Sequence, residues 1–292
     1  MKDGKIDEHS GTETTGHEWD GIRELNTPLP RWWLGIFYAC IVWAVGYWIV
    51  YPAWPGISSY THGLWNHSQR DAVTADVGAL KAARAAKETA LSSASLSQIQ
   101  SDPDLQQFAM AEGRALFGDN CAPCHGAGGQ GAHGYPNLND DVWLWGGTLE
   151  DIQHTISVGV RSTSPETRNS QMPAFGRDGM LKPAQIDDLV EYVVQLSGKA
   201  ANAAAVKRAA PLFADNCAMC HGPEGKGNRQ MGAPNLTDNE SLYGEGHEES
   251  RADIQDQIWN GHGGVMPTWN GRLTPEEIKS LAVYVHSLGG GE

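Results

Sequence analysis

Two copies of one eight-residue pattern, offset by 96 residues, constrain this chain more than any other feature. Asp119-Asn120-Cys121-Ala122-Pro123-Cys124-His125-Gly126 returns as Asp215-Asn216-Cys217-Ala218-Met219-Cys220-His221-Gly222. The repetition extends beyond it. Pro136-Asn137-Leu138 returns as Pro234-Asn235-Leu236, and Met172-Pro173 as Met266-Pro267. Each copy closes with apolar residues at helical spacing, Ile186, Leu189, Val193 and Leu196 in the first and Ile278, Leu281, Val285 and Leu288 in the second. Thr274-Pro275-Glu276-Glu277 reads as a capping box with proline at the first helical position. Gly198 and Gly289 stand where helix C-caps belong. Small helical modules with such long loops cannot bury enough apolar surface alone. They must close around something large and apolar.

The cysteines say what that is. Cys-x-x-Cys-His is the attachment pattern of c-type haem. Cys121 and Cys124, like Cys217 and Cys220, are spaced to form thioethers with the two vinyl groups, while His125 and His221 place an imidazole under each iron. A zinc ribbon pairs its halves across roughly 15–20 residues, far less than the separation here. A thioredoxin-type redox pair needs alternating strands and helices that are absent. Disulfides within each pair would leave the adjoining histidines unexplained. The expected cofactors are therefore two covalently bound haems c.

Met172 and Met266 follow their histidines by 47 and 45 residues and are the expected sixth ligands. A thioether opposite imidazole raises the reduction potential and closes the iron to small molecules, as electron transfer requires. Met180 and Met231 are the competing sulfurs. Spacing leaves open whether each methionine serves its own repeat's haem or the other's. Pro136 and Pro234 are placed to offer backbone carbonyls to the ligating imidazoles. His133, His154, His247 and His262 have no matched partners and read as solvated or locally bonded.

Before the repeats, Trp32 to Tyr51 runs without a charge at the length that spans a bilayer, with tryptophan and tyrosine at both ends. Arg31 bounds it on one side, Pro52 and Pro55 on the other. The acidic leader and the absence of a small-residue cleavage site favour an uncleaved anchor. Cys40, inside this run, reads as a small buried hydrophobe and not as a reactive thiol. Lys2, Lys5, Arg23 and Arg31 precede the span and only Arg70 follows it closely, which predicts a cytoplasmic amino terminus and exported repeats. Residues 52–103 read as a connector whose Ala-rich stretch from Asp76 to Gln100 is an exposed spacer helix. Seven of the 35 acidic and four of the 21 basic residues precede residue 32, so the exported part keeps an acid excess. Nucleic acid is thereby excluded as a partner, and a basic soluble protein favoured.

The two repeats resemble class I cytochrome c domains over residues 104–292, on the Cys-x-x-Cys-His, Pro-Asn-Leu and Met-Pro motifs. That resemblance implies packing of Gly113 and Phe117 against Tyr192, and of Ala209 and Phe213 against Tyr284. The first repeat departs from the pattern in a longer loop before Met172 and a poor cap at Lys182. The leader carries Asp20-Gly21-Ile22, Asn26-Thr27-Pro28-Leu29-Pro30-Arg31-Trp32-Trp33 and Tyr51-Pro52-Ala53-Trp54-Pro55. These pieces resemble the dihaem subunit (subunit III, FixP/CcoP-like) of cbb3-type cytochrome c oxidases. The expected fold is mainly α: a cytoplasmic segment (1–31), one transmembrane helix (32–51), a periplasmic connector (52–103) and two tandem cytochrome c domains (104–199 and 200–292). The resemblance implies an electron-carrying subunit, itself without a bond-making site, in a bacterial inner membrane. Its partners would be a periplasmic or membrane-tethered cytochrome c donor, a monohaem cytochrome c subunit and the haem–copper catalytic subunit. A stand-alone membrane dihaem cytochrome and a dihaem peroxidase or sensor are the alternatives.

Overall fold

The computed structural model describes residues 5–238, 240–245 and 249–289. Lys2 and His247 lie outside the described residues. The chain divides into two units, residues up to Ala82 and residues from Ala83 onward.

In the first unit, strands β1 (Thr14–Trp19) and β2 (Ile22–Leu25) form an antiparallel hairpin. The sequence reading did not separate this hairpin from the leader. Asp20 and Gly21 both take positive φ, the requirement of the tight turn that Asp-Gly favours. Helix α1 spans Arg31–Val50, one residue from the expected limits, and none of its residues is buried. Among the described residues it is the one helix long and apolar enough to cross a membrane. Cys40 is exposed on it and not buried as expected, because no residue of this helix is buried against the rest of the chain. Tyr51 is extended, as a residue before proline must be. The following loop folds back so that the Leu64 and Trp65 N–H groups donate to the Ile49 and Val50 carbonyls at 3.0 and 3.2 Å. These bonds satisfy helix-end acceptors that would otherwise be orphaned.

Helix α2 (Gln69–Ser93) carries the chain across the division and is followed by α3 (Leu96–Ser101). Contrary to the expectation from sequence, this region is not an exposed spacer along its whole length. Leu91, Leu96 and Ile99 are buried in the first core of the second unit. Lys279 Nζ donates to the carbonyls of Leu91, Ser92 and Ala94 at 2.8–3.2 Å, a cation at the end of α2 where the helix dipole favours one.

The repeats fold into α4 (Pro103–Asn120), α5 (Ala122–His125), α6 (Leu149–Val158) and α7 (Pro183–Leu196), then α8 (Ala203–Asn216), α9 (Ala218–His221), strand β3 (Glu240–Glu245), α10 (Arg251–Asn260) and α11 (Pro275–His286). Helices dominate, as expected. Their pairing does not follow the expected boundary at residues 199 and 200. Helix α4 packs on α11 and α7 on α8; α6 joins α11 and α10 joins α7. Each hydrophobic core thus takes its first helices from one repeat and its last from the other. The expected aromatic pairs are exchanged accordingly. Phe117 meets Tyr284 with ring centroids 5.4 Å apart, and Tyr192 meets Phe213 at 4.8 Å. A Cβ on Gly113 would overlap the Ser280 carbonyl and the Tyr284 side chain, so the close crossing of α4 is made with α11.

The physical reason lies in the repeat itself. Both last helices present equivalent apolar faces, so either can close either core. A short connection, residues 197–202, puts α7 beside α8 at small cost in loop entropy. Helix α11 is then left for α4.

Two caps differ from expectation. Gln185 accepts from the Lys182 N–H at 2.9 Å, which supplies half a capping box where none was expected. Gly198 has the positive φ of a C-cap, but Gly289 does not. A Cβ on Gly289 would overlap Asn139 backbone, so close approach is what requires glycine there.

Candidate functional site

Each Cys-x-x-Cys-His motif begins where the helix before it runs out. The Cys121 N–H donates to the Phe117 carbonyl, and the His125 N–H donates to the Cys121 carbonyl at 2.9 Å. The second motif repeats this, with Cys217 to Phe213 at 2.8 Å and His221 to Cys217 at 2.9 Å. One short turn therefore aims both thiols and the imidazole toward one side. Among the described residues, no disulfide closes either pair.

His125 Nδ1 lies 3.0 Å from the Pro136 carbonyl, and His221 Nδ1 lies 3.0 Å from the Pro234 carbonyl. A carbonyl only accepts, so Nδ1 carries the proton in both rings, which leaves Nε2 with its lone pair free to bind iron. Burial lowers both imidazole pKa values, against the opposing pull of the carbonyls. The rings are therefore neutral, the form a metal needs. Burial also pushes the Cys121 and Cys217 thiols up to about 11, with their partner cysteines adding to the shift.

The methionines settle across the repeats. Met172 lines a cavity of about 230 Å³ together with Cys217, Cys220 and His221. Phe175, Leu189, Val193, Phe213, Leu236 and Ile254 supply its apolar wall. Met266 instead packs, as Cys121 does, against the core that contains Phe117. Backbone bonds fix the crossing. Val160 and Met266 exchange two N–H···O bonds of 3.0 Å, and the Trp269 N–H donates to the Ile156 carbonyl at 3.2 Å, which ties the second methionine loop to the end of α6. The Arg177 N–H donates to the Trp259 carbonyl at 3.0 Å, and Gly261 abuts Met172 backbone, which ties the first methionine loop to α10. Met180 is exposed, and Met231 does not line the cavity.

Sequence reasoning missed Gln257. Its Nε2 lies 3.6 Å from the Met172 sulfur and 3.3 Å from the His262 carbonyl, while its Oε1 is buried without a protein partner. Two acceptors face the amide nitrogen, which fixes its orientation. At the matching place on α6 stands Thr155, whose hydroxyl donates back to Asp151 of its own helix at 2.7 Å. Aligning the repeats exposes this difference but gives it no meaning without the crossing. Among the other histidines, His262 is locally bonded to Asp256 at 2.5 Å, His133 stands edge-on to Tyr243 and His154 is exposed.

Comparison with known proteins decides the family. Residues 11–58 match the N-terminal domain of cytochrome oxidase-cbb3, FixP; residues 110–197 match cytochrome c; and residues 204–285 match cytochrome c oxidase, cbb3-type, subunit III. The cbb3-type cytochrome c oxidase subunit FixP of Bradyrhizobium sp. (strain ORS 278) is 56% identical over 99% of this chain and 98% of its own length. This chain belongs to the FixP/CcoP family of cbb3-type oxidase subunits. The FixP subunit of Bradyrhizobium diazoefficiens is 54% identical over 99% of this chain and 98% of its own length. The CcoP subunit of Azospirillum sp. (strain B510) is 50% identical over 98% of each chain. As a FixP/CcoP subunit the chain is membrane-anchored, carries two covalently bound haems c and transfers electrons within a cbb3-type oxidase.

The residues present fit those haems. Neutral imidazoles with Nε2 free, paired thiols on one turn and an apolar cavity that ends on a thioether are what a covalently attached porphyrin requires.

Proposed function

We propose that Cys121 and Cys124 would hold the first haem, with His125 and Met266 as the side chains that would bind its iron. Cys217 and Cys220 would hold the second, with His221 and Met172. The observation that carries this reading is the cavity shared by Met172 and His221, residues of different repeats. The haems supply a one-electron couple; the chain's residues set it. The thioethers keep the macrocycles in place, the Pro136 and Pro234 carbonyls fix the rings, and the sulfurs favour the reduced state and exclude small ligands. Two side-chain ligands for each iron would suit electron relay and not peroxide or gas chemistry.

The wider reading follows from the charge pattern and the family. The amino terminus lies in the cytoplasm and the haem domains in the periplasm of an inner membrane. A periplasmic or membrane-tethered c-type cytochrome docks on the acidic outer face. Electrons pass onward to the monohaem subunit and the haem–copper subunit.

Ligation is tested in a Cys217→Ser/Cys220→Ser variant, which retains one haem. Adding Met266→Ala should abolish the sulfur-to-iron charge-transfer band, and adding Met172→Ala should leave it. The opposite pair of results would place each methionine on its own repeat's haem and sink the crossed assignment.

A further inference from the structure

Arg161 is an uncompensated cation in the wall of the second haem's cavity, and it comes from the first repeat. Its Nε donates to the Gly264 carbonyl and one Nη1 hydrogen to the Ser170 carbonyl, both at 2.6 Å. These two bonds hold the planar fork but offer no negative charge. A guanidinium has five N–H donors, so three are left without a protein partner among the described residues. Asp140, Glu240 and Glu249 line the same cavity, yet none contacts Arg161.

The backbone also holds the side chain in place at some cost. Arg161 has φ of 50°, a left-handed conformation that is unfavourable for a non-glycine residue. The residue is fixed by its own N–H, which donates to the Arg168 carbonyl at 2.9 Å, and by Val160 beside it, which is bonded twice to Met266. Position 263, the counterpart of 161 in the second repeat, is glycine, and a Cβ there would come near the Arg161 guanidinium. The cation therefore has no twin from the matching position in the other repeat. A half-buried guanidinium anchored to two carbonyls, with its remaining donors open to a cavity, is built to receive a carboxylate. A haem brings two carboxylates, its propionates, to the edge of the pocket it fills.

We propose that Arg161 binds a propionate of the haem attached at Cys217 and Cys220 and raises that haem's reduction potential. This rests on the ligand assignment above. The physical basis is charge: reduction removes one positive charge from the iron, and a fixed cation nearby favours that change. Arg161 is thus a positioning and potential-setting residue contributed across the exchange.

The test is a spectroelectrochemical titration of the detergent-solubilised full chain with both haems attached. Met172→His first marks which of the two redox steps belongs to the haem that Met172 ligates; a shift in neither step would defeat the ligand reading, independently of Arg161. Arg161→Gln should then shift that same step toward the oxidised form by about tenfold in its equilibrium constant, about 59 mV for a one-electron couple, and leave the other step in place. Arg161→Lys keeps the charge and should stay within about twofold of the parent protein, even if Arg161→Gln fails to assemble. A shift in the other step, or equal loss in the lysine and glutamine variants, would overturn the proposal.

Discussion

Cutting the connection between α7 and α8 should leave the two halves of the haem region entwined. The perturbation is a protease recognition sequence inserted between Gly198 and Ala201. After cleavage, one fragment carries α4 to α7 and the other α8 to α11. Helix α11 buries Ile278, Leu281, Val283 and Val285 in the first core, and α7 buries Ile186, Leu189, Val190, Val193 and Val194 in the second. These nine side chains cross between fragments, and at roughly 2 kcal/mol each their burial contributes on the order of 20 kcal/mol. Association costs roughly 4–15 kcal/mol in lost freedom. What is left, on the order of 10 kcal/mol, corresponds to a Kd below about 1 µM. The assay is size-exclusion chromatography of the cleaved, detergent-solubilised protein at micromolar concentration, with haem absorbance followed in each peak. Fragments that separate, each still showing its sulfur-to-iron band, would refute the exchanged fold.

Gly261→Ala should disturb the second haem first. Its φ is +61° and a Cβ would overlap the Met172 carbonyl, so a destabilisation of about 2–4 kcal/mol is expected by urea titration, with weakening of one of the two sulfur-to-iron bands. The second haem should also respond to pH. Burial pushes the Glu249 carboxyl up to about 7, with Lys199 pulling the other way and Asp238 and Asp253 adding to the rise. Glu249 lines that cavity, and its ionisation adds a negative charge that favours ferric iron. The potential should therefore fall as pH rises through about 7, and Glu249→Gln should flatten that dependence in a redox titration; an unchanged slope would remove Glu249 as the cause.

Attachment chemistry was legible in the chain because it is local. Two cysteines and a histidine on one turn, a carbonyl from Pro136 or Pro234, and the apolar run from Trp32 to Tyr51 each depend on near neighbours in sequence. Pairing was not legible. Phe117 fits Tyr192 and Tyr284 equally well by type, so repeated sequence cannot say which of two equivalent helices it meets. The short link after Leu196 decides that, and its effect is geometric. Arg161 and Gln257 were invisible for a related reason: each acts in a cavity whose other wall comes from the opposite repeat. Leu91, Leu96 and Ile99 were missed because three apolar residues in an alanine-rich run make no periodic stripe.

The crossing of α11 onto α4 also bears on how the molecule is made. The first haem-attachment motif leaves the ribosome before the second, but the helix that closes its pocket follows every helix of the second core. A chain stopped ahead of Thr274 would still hold every helix of the second core, yet would leave the first one open along a whole side. Maturation of the earlier-made half therefore waits on the later one.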